Sequence, residues 1–274
     1  MSEKDIKIII AAHKRYQMPE SDMYIPLHVG AEGKMNPDGS PLDLGYQKDN
    51  TGDNISAKNP YYCELTGIYY AWKNIPADYL GIVHYRRYFA GKTKSRNPFE
   101  RIVTKEELNS LFDCFRVVVP KKRKYYIETL YSHYAHTHYA KHLDCVRDII
   151  AEKCADYLEA YDKVVKRTSG YMFNMMIMER ELFDDYCSWL FAILFELEKR
   201  LDTEELSSFQ SRFYGRVSEI IFNVWLEHKI EAGELNKKDI KELPFIYMEK
   251  INWFRKGMSF LKAKLFHKKY DSSF

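Results

Sequence analysis

Hydrophobic residues fall into two rhythms along this chain. Short unbroken runs at Ile6–Ala12, residues 24–30, Tyr79–His84, residues 115–119 and residues 170–178 read as buried strands. Elsewhere apolar residues recur at three- and four-residue steps, the period of a helix with one buried face. The first such run carries Tyr62, Leu65, Tyr69 and Trp72; Asn59 and Pro60 open it, and Asn74 and Pro76 stop it. Thr104 and Glu107 form a capping-box pattern at the head of another helix. Further helices are expected over residues 127–143, 144–160, 181–201 and 212–226. Residues 31–52 are rich in Gly, Pro, Asn and Asp and predict a long surface loop, a kind that is usually functional. Alternating strands and helices predict an α/β fold, and neither a dinucleotide fingerprint nor a P-loop is present.

Residues 251–274 break the pattern. Ile251, Phe254, Met258, Leu261 and Leu265 make one apolar stripe, joined by Trp253 and Phe260. Lys250, Arg255, Lys256, Lys262, Lys264, Lys268 and Lys269 flank it, and no acid lies between Glu249 and Asp271. The pattern predicts an amphipathic helix lying on an anionic membrane through residues 251–269, or packing on the domain or another subunit. The expected division is therefore a core domain over residues 1–245 and a basic helical tail over residues 246–274.

A chain of 274 residues, 46% apolar and 30% charged, can bury a large core. A net charge of +3 does not point to nucleic acid, and the 22 Tyr and 16 Phe suit a core as well as stacking on a sugar or base. The 5 cysteines include no CxxC pair, which predicts reduced thiols in a cytoplasmic protein. The opening residues lack the apolar run of a signal peptide, and no stretch reaches the roughly 20 apolar residues of a membrane span.

Candidate chemistry gathers where strands end. Ile6–Ala12 delivers His13 and Lys14 to a loop, and Tyr79–His84 runs into Tyr85, Arg86 and Arg87. In open α/β sheets that end is where ligands bind. The basic run from Lys121 to Lys124 is a solvated loop or an anion-binding rim. Four of the 9 histidines are His133, His136, His138 and His142. His138 and His142 share a helical face as two metal ligands would, though no third ligand is evident; the other reading is a polar helix lining a cleft. Asn174, at the centre of its expected strand, bonds backbone or water, or else substrate hydroxyls. Arg212, Arg216 and Glu219 share a face, either as an ion pair worth roughly 0.3 kcal/mol or as a carboxylate held at a cleft wall.

Six stretches together carry a resemblance: KIIIAAHK, DNISAKNPYYCELTGIYYAWKN, GIVHYRRYF, FNMMIM, CSWLFAILFELEKR and GRVSEIIFNVWL. Over residues 5–230 the chain resembles a glycosyltransferase-like domain family of bacterial capsular and exopolysaccharide gene clusters, long labelled a domain of unknown function. The resemblance implies a single Rossmann-like, GT-A-type mixed sheet flanked by helices, to which the amphipathic tail is added. It implies a transferase that adds one sugar, galactose in pyranose or furanose form, from a UDP-sugar to a lipid-linked oligosaccharide. Such an enzyme is expected at the cytoplasmic face of the cell membrane. Donor-binding residues are then Ala12, His13, Lys14, Asp53, Asn59, Glu64, His84, Arg86 and Arg87. Capping is the other role open to Asp53 and Asn59, and a helix-surface position the other role open to Glu64. His138, Asn174 and Arg216 are expected to bind acceptor.

GT-A enzymes usually hold a divalent cation with an Asp-x-Asp, whereas His84-Tyr85-Arg86 stands in that place here. Arg86, Arg87 and Lys14 would supply the positive charge that a pyrophosphate leaving group needs, so no metal is required. Mn²⁺ or Mg²⁺ held by Asp53 or Glu64 is the other route. Inverting transfer also needs a general base, with Glu219 the first candidate and Asp144 the second. The missing Asp-x-Asp keeps a second function open, a non-catalytic sugar-nucleotide or glycan-binding subunit that assists a partner transferase.

Overall fold

The opening isoleucine run forms β1 (Ile6–Ala12), fully buried at Ile6, Ile8, Ile9 and Ile10 in the computed structural model, which describes residues 3–202 and 206–249. β2 (Tyr24–His28) follows, and the expected loop contains a two-residue β3 (Gln47–Lys48). The helix expected from Asn59 to Asn74 is two, α1 (Asn59–Tyr62) and α2 (Leu65–Asn74). They are separated by Cys63 at φ 54°, ψ −129°, a conformation that no helix contains. The restart rotates the buried face. Leu65, Thr66, Gly67, Ile68, Tyr70 and Ala71 are buried, while Tyr69 and Trp72 are only half-buried. α2 lies close on the sheet because residue 67 is glycine; a Cβ there would meet Val29 Cγ1 at 2.9 Å.

β4 (Tyr79–His84) turns through Tyr85 and Arg86 into β5 (Arg87–Phe89). α3 (Lys105–Leu111) opens on the expected capping box: Glu107 N donates to Thr104 Oγ1 at 3.3 Å and Thr104 N to Glu107 Oε2 at 3.0 Å. β6 (Val117–Pro120) is buried throughout, and β7 (Arg123–Lys124) comes out of the basic run. Where two helices were expected across residues 127–160 there are three, α4 (Leu130–Thr137), α5 (Lys141–Lys153) and α6 (Leu158–Val164). The strand expected across residues 170–178 is likewise split, into β8 (Ser169–Gly170) and β9 (Met176–Glu179), with Asn174 between them at φ 50°. The chain ends its described course through α7 (Arg180–Arg200), α8 (Phe213–Glu231), β10 (Ile240–Leu243) and β11 (Phe245–Tyr247).

The chain forms two units. The first, Met1–Lys121, Asn174–Cys187 and Asn236–Glu249, holds the main sheet, in the order β10-β6-β9-β4-β1-β2-β3. Its strands are parallel except β9, which runs antiparallel to both neighbours, and β5 turns back from β4 to pair antiparallel with β11. This is the α/β mixed sheet that was expected. The second unit contains α4, α5, α6, α7 from Ser188 onward, the whole of α8 and the β7–β8 pair. β11 carries the sheet past the boundary expected at residue 245, and the amphipathic tail of residues 251–274 lies outside the described residues. Among the described residues, no helix is long and apolar enough to cross a membrane.

Candidate functional site

β1 and β4 run side by side and parallel, with Ala11 level with His84 and, on the other flank, Ala12 level with His28. Their carboxyl ends therefore open on one edge of the sheet, where β1 passes to His13 and Lys14 and β4 to Tyr85 and Arg86. The Tyr85 and Tyr16 rings stack with centroids 3.8 Å apart, and His13 stands edge-on to Tyr85 at 5.3 Å. Lys14 Nζ lies 5.3 Å from the Tyr16 centroid, and the Arg86 guanidinium carbon 5.8 Å from that of Tyr85. Two cations thus flank one pair of rings. The loop is fastened from below: the Tyr46 hydroxyl accepts from Tyr16 N and donates to Tyr16 O, both at 2.9 Å. Burial pushes the Tyr16 phenol up, so it stays protonated at neutral pH.

Asn174 reaches the same edge. It lies in the turn two residues before β9, whose first residue, Met176, pairs with Ile82, two residues before the His84 end of β4. Asn174 Nδ2 donates to Glu64 Oε1 at 2.8 Å. Both ends of this contact rest on left-handed backbone, at Asn174 itself and at Cys63 just before Glu64. Strain of this kind, about 1–3 kcal/mol per residue, persists where the surroundings hold it and clusters at binding sites.

Beside Glu64, Asn59 Nδ2 donates to Cys63 O at 2.7 Å and to Thr66 Oγ1 at 3.2 Å. Its side chain lies directly over Gly30 (φ 68°), where a Cβ would sit 2.3 Å from Asn59 Cγ. Underneath, the fully buried Asp49 carboxylate accepts four bonds. Gly30 N and Thr66 Oγ1 reach one oxygen at 2.8 and 2.7 Å, and Ala31 N and Ser56 Oγ the other at 3.0 and 2.5 Å.

Two of the expected donor residues stand elsewhere. The Asp53 carboxylate accepts from the Tyr69 hydroxyl at 3.1 Å, and Asn74 brackets its backbone at 3.2 and 2.8 Å. That is the carboxyl end of α2, about 15 Å along the helix from Glu64 at its start. Arg87 departs because the Tyr85–Arg86 turn reverses the chain. It enters β5 buried, opposite Tyr247, with its guanidinium carbon 5.2 Å from that ring's centroid. The edge therefore gathers Ala12, His13, Lys14, His84 and Arg86 with Asn59, Glu64 and Asn174. A cavity of about 350 Å³ lined by Lys73, Asn74, Ile75, Pro76, Ala77 and Arg180 sits near Asp53's end of α2, with the Arg180 guanidinium engaged on Ile75 O and Trp72 O.

The remaining expected residues lie in the second unit. Arg216 Nη1 bonds Glu219 Oε1 at 3.1 Å, and Glu219 is only 5% exposed. The Asp144 carboxylate accepts from the Tyr131 hydroxyl at 2.8 Å. His138 and His142 do not form a helical ligand pair, because α4 ends before His138, whose backbone is extended at φ −131°. His138 Nδ1 donates to Gln210 Oε1 at 2.9 Å, while His142 shares a hydrogen bond with the Tyr134 hydroxyl at 2.8 Å. Among the described residues, no group of three or more His, Cys, Asp or Glu is placed to hold a metal ion.

Sequence reasoning missed the Tyr16–Tyr85 stack, the Asp49 anchor and a buried carboxylate at Glu128. The signal for the stack was present in part, since Tyr85 directly follows His84 and Tyr16 comes three residues after His13. Asp49 and Glu128 gave none. Both Glu128 oxygens bond imidazoles, His133 Nδ1 and His136 Nδ1, each at 2.7 Å. Burial alone would raise the Glu128 carboxyl, but the two imidazole bonds outweigh it and hold it below its ordinary value. Burial pushes His133 down, which keeps its ring neutral.

Among curated proteins, none matches this chain. A solved apo structure of the bifunctional glycosyltransferase WbbM is similar over 90% of the chain, with a TM-score of 0.79 and 28% sequence identity. The matched region covers 46% of the WbbM chain, so the present chain spans under half of that protein's length. Residues 7–230 match the family described as a domain of unknown function, DUF4422, and the chain belongs to that family.

Proposed function

We propose that the protein is a glycosyltransferase that moves one sugar from a UDP-sugar to a glycan acceptor. The observation that carries this reading is the shared carboxyl edge of β1 and β4. It sets a ring stack between two cations, next to a carboxylate held by an amide, in a fold similar to that of WbbM. The Tyr16–Tyr85 pair suits a nucleobase or sugar face, and Lys14 and Arg86 suit a diphosphate. As the glycosidic bond breaks, negative charge grows on the leaving diphosphate, and a guanidinium offers it planar, multidentate donors. Asn174 and Glu64 are suited to sugar hydroxyls, and Glu64 is a carboxylate able to accept a proton from an attacking hydroxyl. The family resemblance supports the finer points: a galactosyl donor, a lipid-linked oligosaccharide acceptor in capsule or exopolysaccharide synthesis, and work at the inner membrane face. The basic residues 251–269 add support for the last.

His84-Tyr85-Arg86, standing where a carboxylate pair would hold a cation, favours metal-independent transfer; it also favours the second reading, a sugar-nucleotide-binding subunit without turnover. One experiment separates these. UDP-, GDP-, CDP- and dTDP-sugars are compared for thermal stabilisation and hydrolysis, in EDTA and with Mn²⁺. One UDP-sugar is expected to stabilise the protein and turn over slowly in EDTA. Arg86→Ala should then lower kcat by about 100-fold or more at unchanged Tm. Glu64→Gln and Glu219→Gln, assayed side by side, identify the base. Turnover only with Mn²⁺ overturns the arginine assignment, and binding without turnover replaces the enzyme with the binding subunit.

A further inference from the structure

The second unit carries a small projection at residues 122–127, KRKYYI. Tyr126 is 82% exposed and Ile127 74%, the two most exposed large hydrophobic side chains among the described residues. The projection is held in place. β7 pairs with β8, Tyr125 N donates to Thr168 O at 2.8 Å, and Ile127 N donates to Tyr125 O at 2.7 Å. Leu130 N donates to Arg167 O at 2.8 Å and closes its base. Tyr126 sits at φ 59°, a conformation that a bulky residue keeps only when its surroundings enforce it.

Charge follows the same segment. Lys122, Arg123 and Lys124 precede the exposed pair, and exposed Lys166 lies just before the strand that pairs with them. Lys122 Nζ stands 4.8 Å from the Tyr171 ring centroid and the Arg123 guanidinium carbon 4.9 Å from that of Tyr125, so two of the cations lie against ring faces. Glu128, the next residue after the pair, is buried between two imidazoles and adds no exposed carboxylate.

We propose that residues 122–127 are a membrane-docking element for an anionic lipid surface. The Tyr126 ring and Ile127 side chain enter the interfacial zone, where tyrosine is at home, while Lys122, Arg123, Lys124 and Lys166 meet lipid phosphates. Neither signal anchors a protein well alone, and their coincidence on one fixed turn is what a reversible peripheral contact needs. The proposal uses none of the residues 251–269 and does not rest on the transferase reading.

The test is co-sedimentation of the full chain with vesicles of phosphatidylcholine alone or mixed with phosphatidylglycerol. Tyr126→Ser/Ile127→Ser and Lys122→Ala/Lys124→Ala are compared with the parent; all four positions are at the surface, and an unchanged Tm confirms folding. The parent should bind only the anionic vesicles, less tightly as salt rises, and each double variant should bind at least about tenfold more weakly. Equal affinity of the parent and the Tyr126→Ser/Ile127→Ser variant overturns the proposal, as does binding indifferent to phosphatidylglycerol or no binding at all. A change of oligomeric state in that variant, with vesicle affinity intact, assigns the patch to a second copy of the chain and overturns it too.

Discussion

Asp49 engages both carboxylate oxygens with two backbone N–H groups and two hydroxyls, and so fixes the loop after β2, the turn before α1 and the start of α2 at once. Asp49→Asn keeps the shape but turns an amide NH₂ toward donors that already point inward. It should lower unfolding free energy by about 2–4 kcal/mol in a urea titration, since a buried donor left without its acceptor bears the full desolvation cost. Nothing in the sequence marks this residue, because its partners lie 7 to 19 positions away in a stretch without periodicity. The strand-end positions of His13, Lys14, His84 and Arg86 were legible because a strand's end is a local property. Arg87 was not, since one turn decides which of two adjacent arginines stays at the tip and which enters a buried strand. The partners of Asp53 were not legible either, because Tyr69 and Asn74 reach it from 16 and 21 positions further along the chain.

At the scale of elements, local signals succeeded where they were complete. The Thr104–Glu107 box, the isoleucine run of β1 and the apolar run of β4 each carry start, body and stop in one window. The break at Cys63 carries no such signal, because its left-handed backbone is imposed by the packing around Asn59, Glu64 and Thr66 rather than by a local glycine. Cys63→Gly should therefore be neutral or raise stability by up to about 1 kcal/mol, while Cys63→Val should lower it by about 1–3 kcal/mol, read as Tm and denaturation midpoint. Asn174 follows the same logic. Periodicity placed it mid-strand, whereas its tertiary contact with Glu64 holds it in a turn.

At the scale of the whole molecule, buried histidines set the response to acid. Burial lowers His28 and His133 below their ordinary value of 6.5, so the unfolded chain binds protons first as pH falls. Stability should thus begin to drop below about pH 6.5 and fall further below 4.5 as the depressed Glu128 carboxyl is protonated in the unfolded state first. Thermal unfolding of His28→Asn/His133→Asn at pH 7.5 and 5.5 should show a smaller loss than the parent; an equal loss would place the acid sensitivity elsewhere. The α/β class and the family were legible because long motifs span the sheet's central strands. The division into units was not, because the chain leaves the sheet after residue 121, returns at 174, leaves at 188 and returns at 236, and a path read in order suggests contiguous blocks.

That path bears on how the protein is made. β6 and β5 each await a neighbour, β10 and β11, supplied by residues 240–247. More than a hundred residues separate β6 from β10, and of these only β9, which joins β6 to β4, enters the main sheet. On the ribosome the outer edges of β6 and β5 therefore stay open until β10 and β11 are made. Unpaired strand edges recruit other strands, so the nascent chain passes through an adhesive stage that ends only when its last sheet strands leave the exit tunnel. The final strands act as the clasp of biogenesis, and the family match, which stops at residue 230, ends before them.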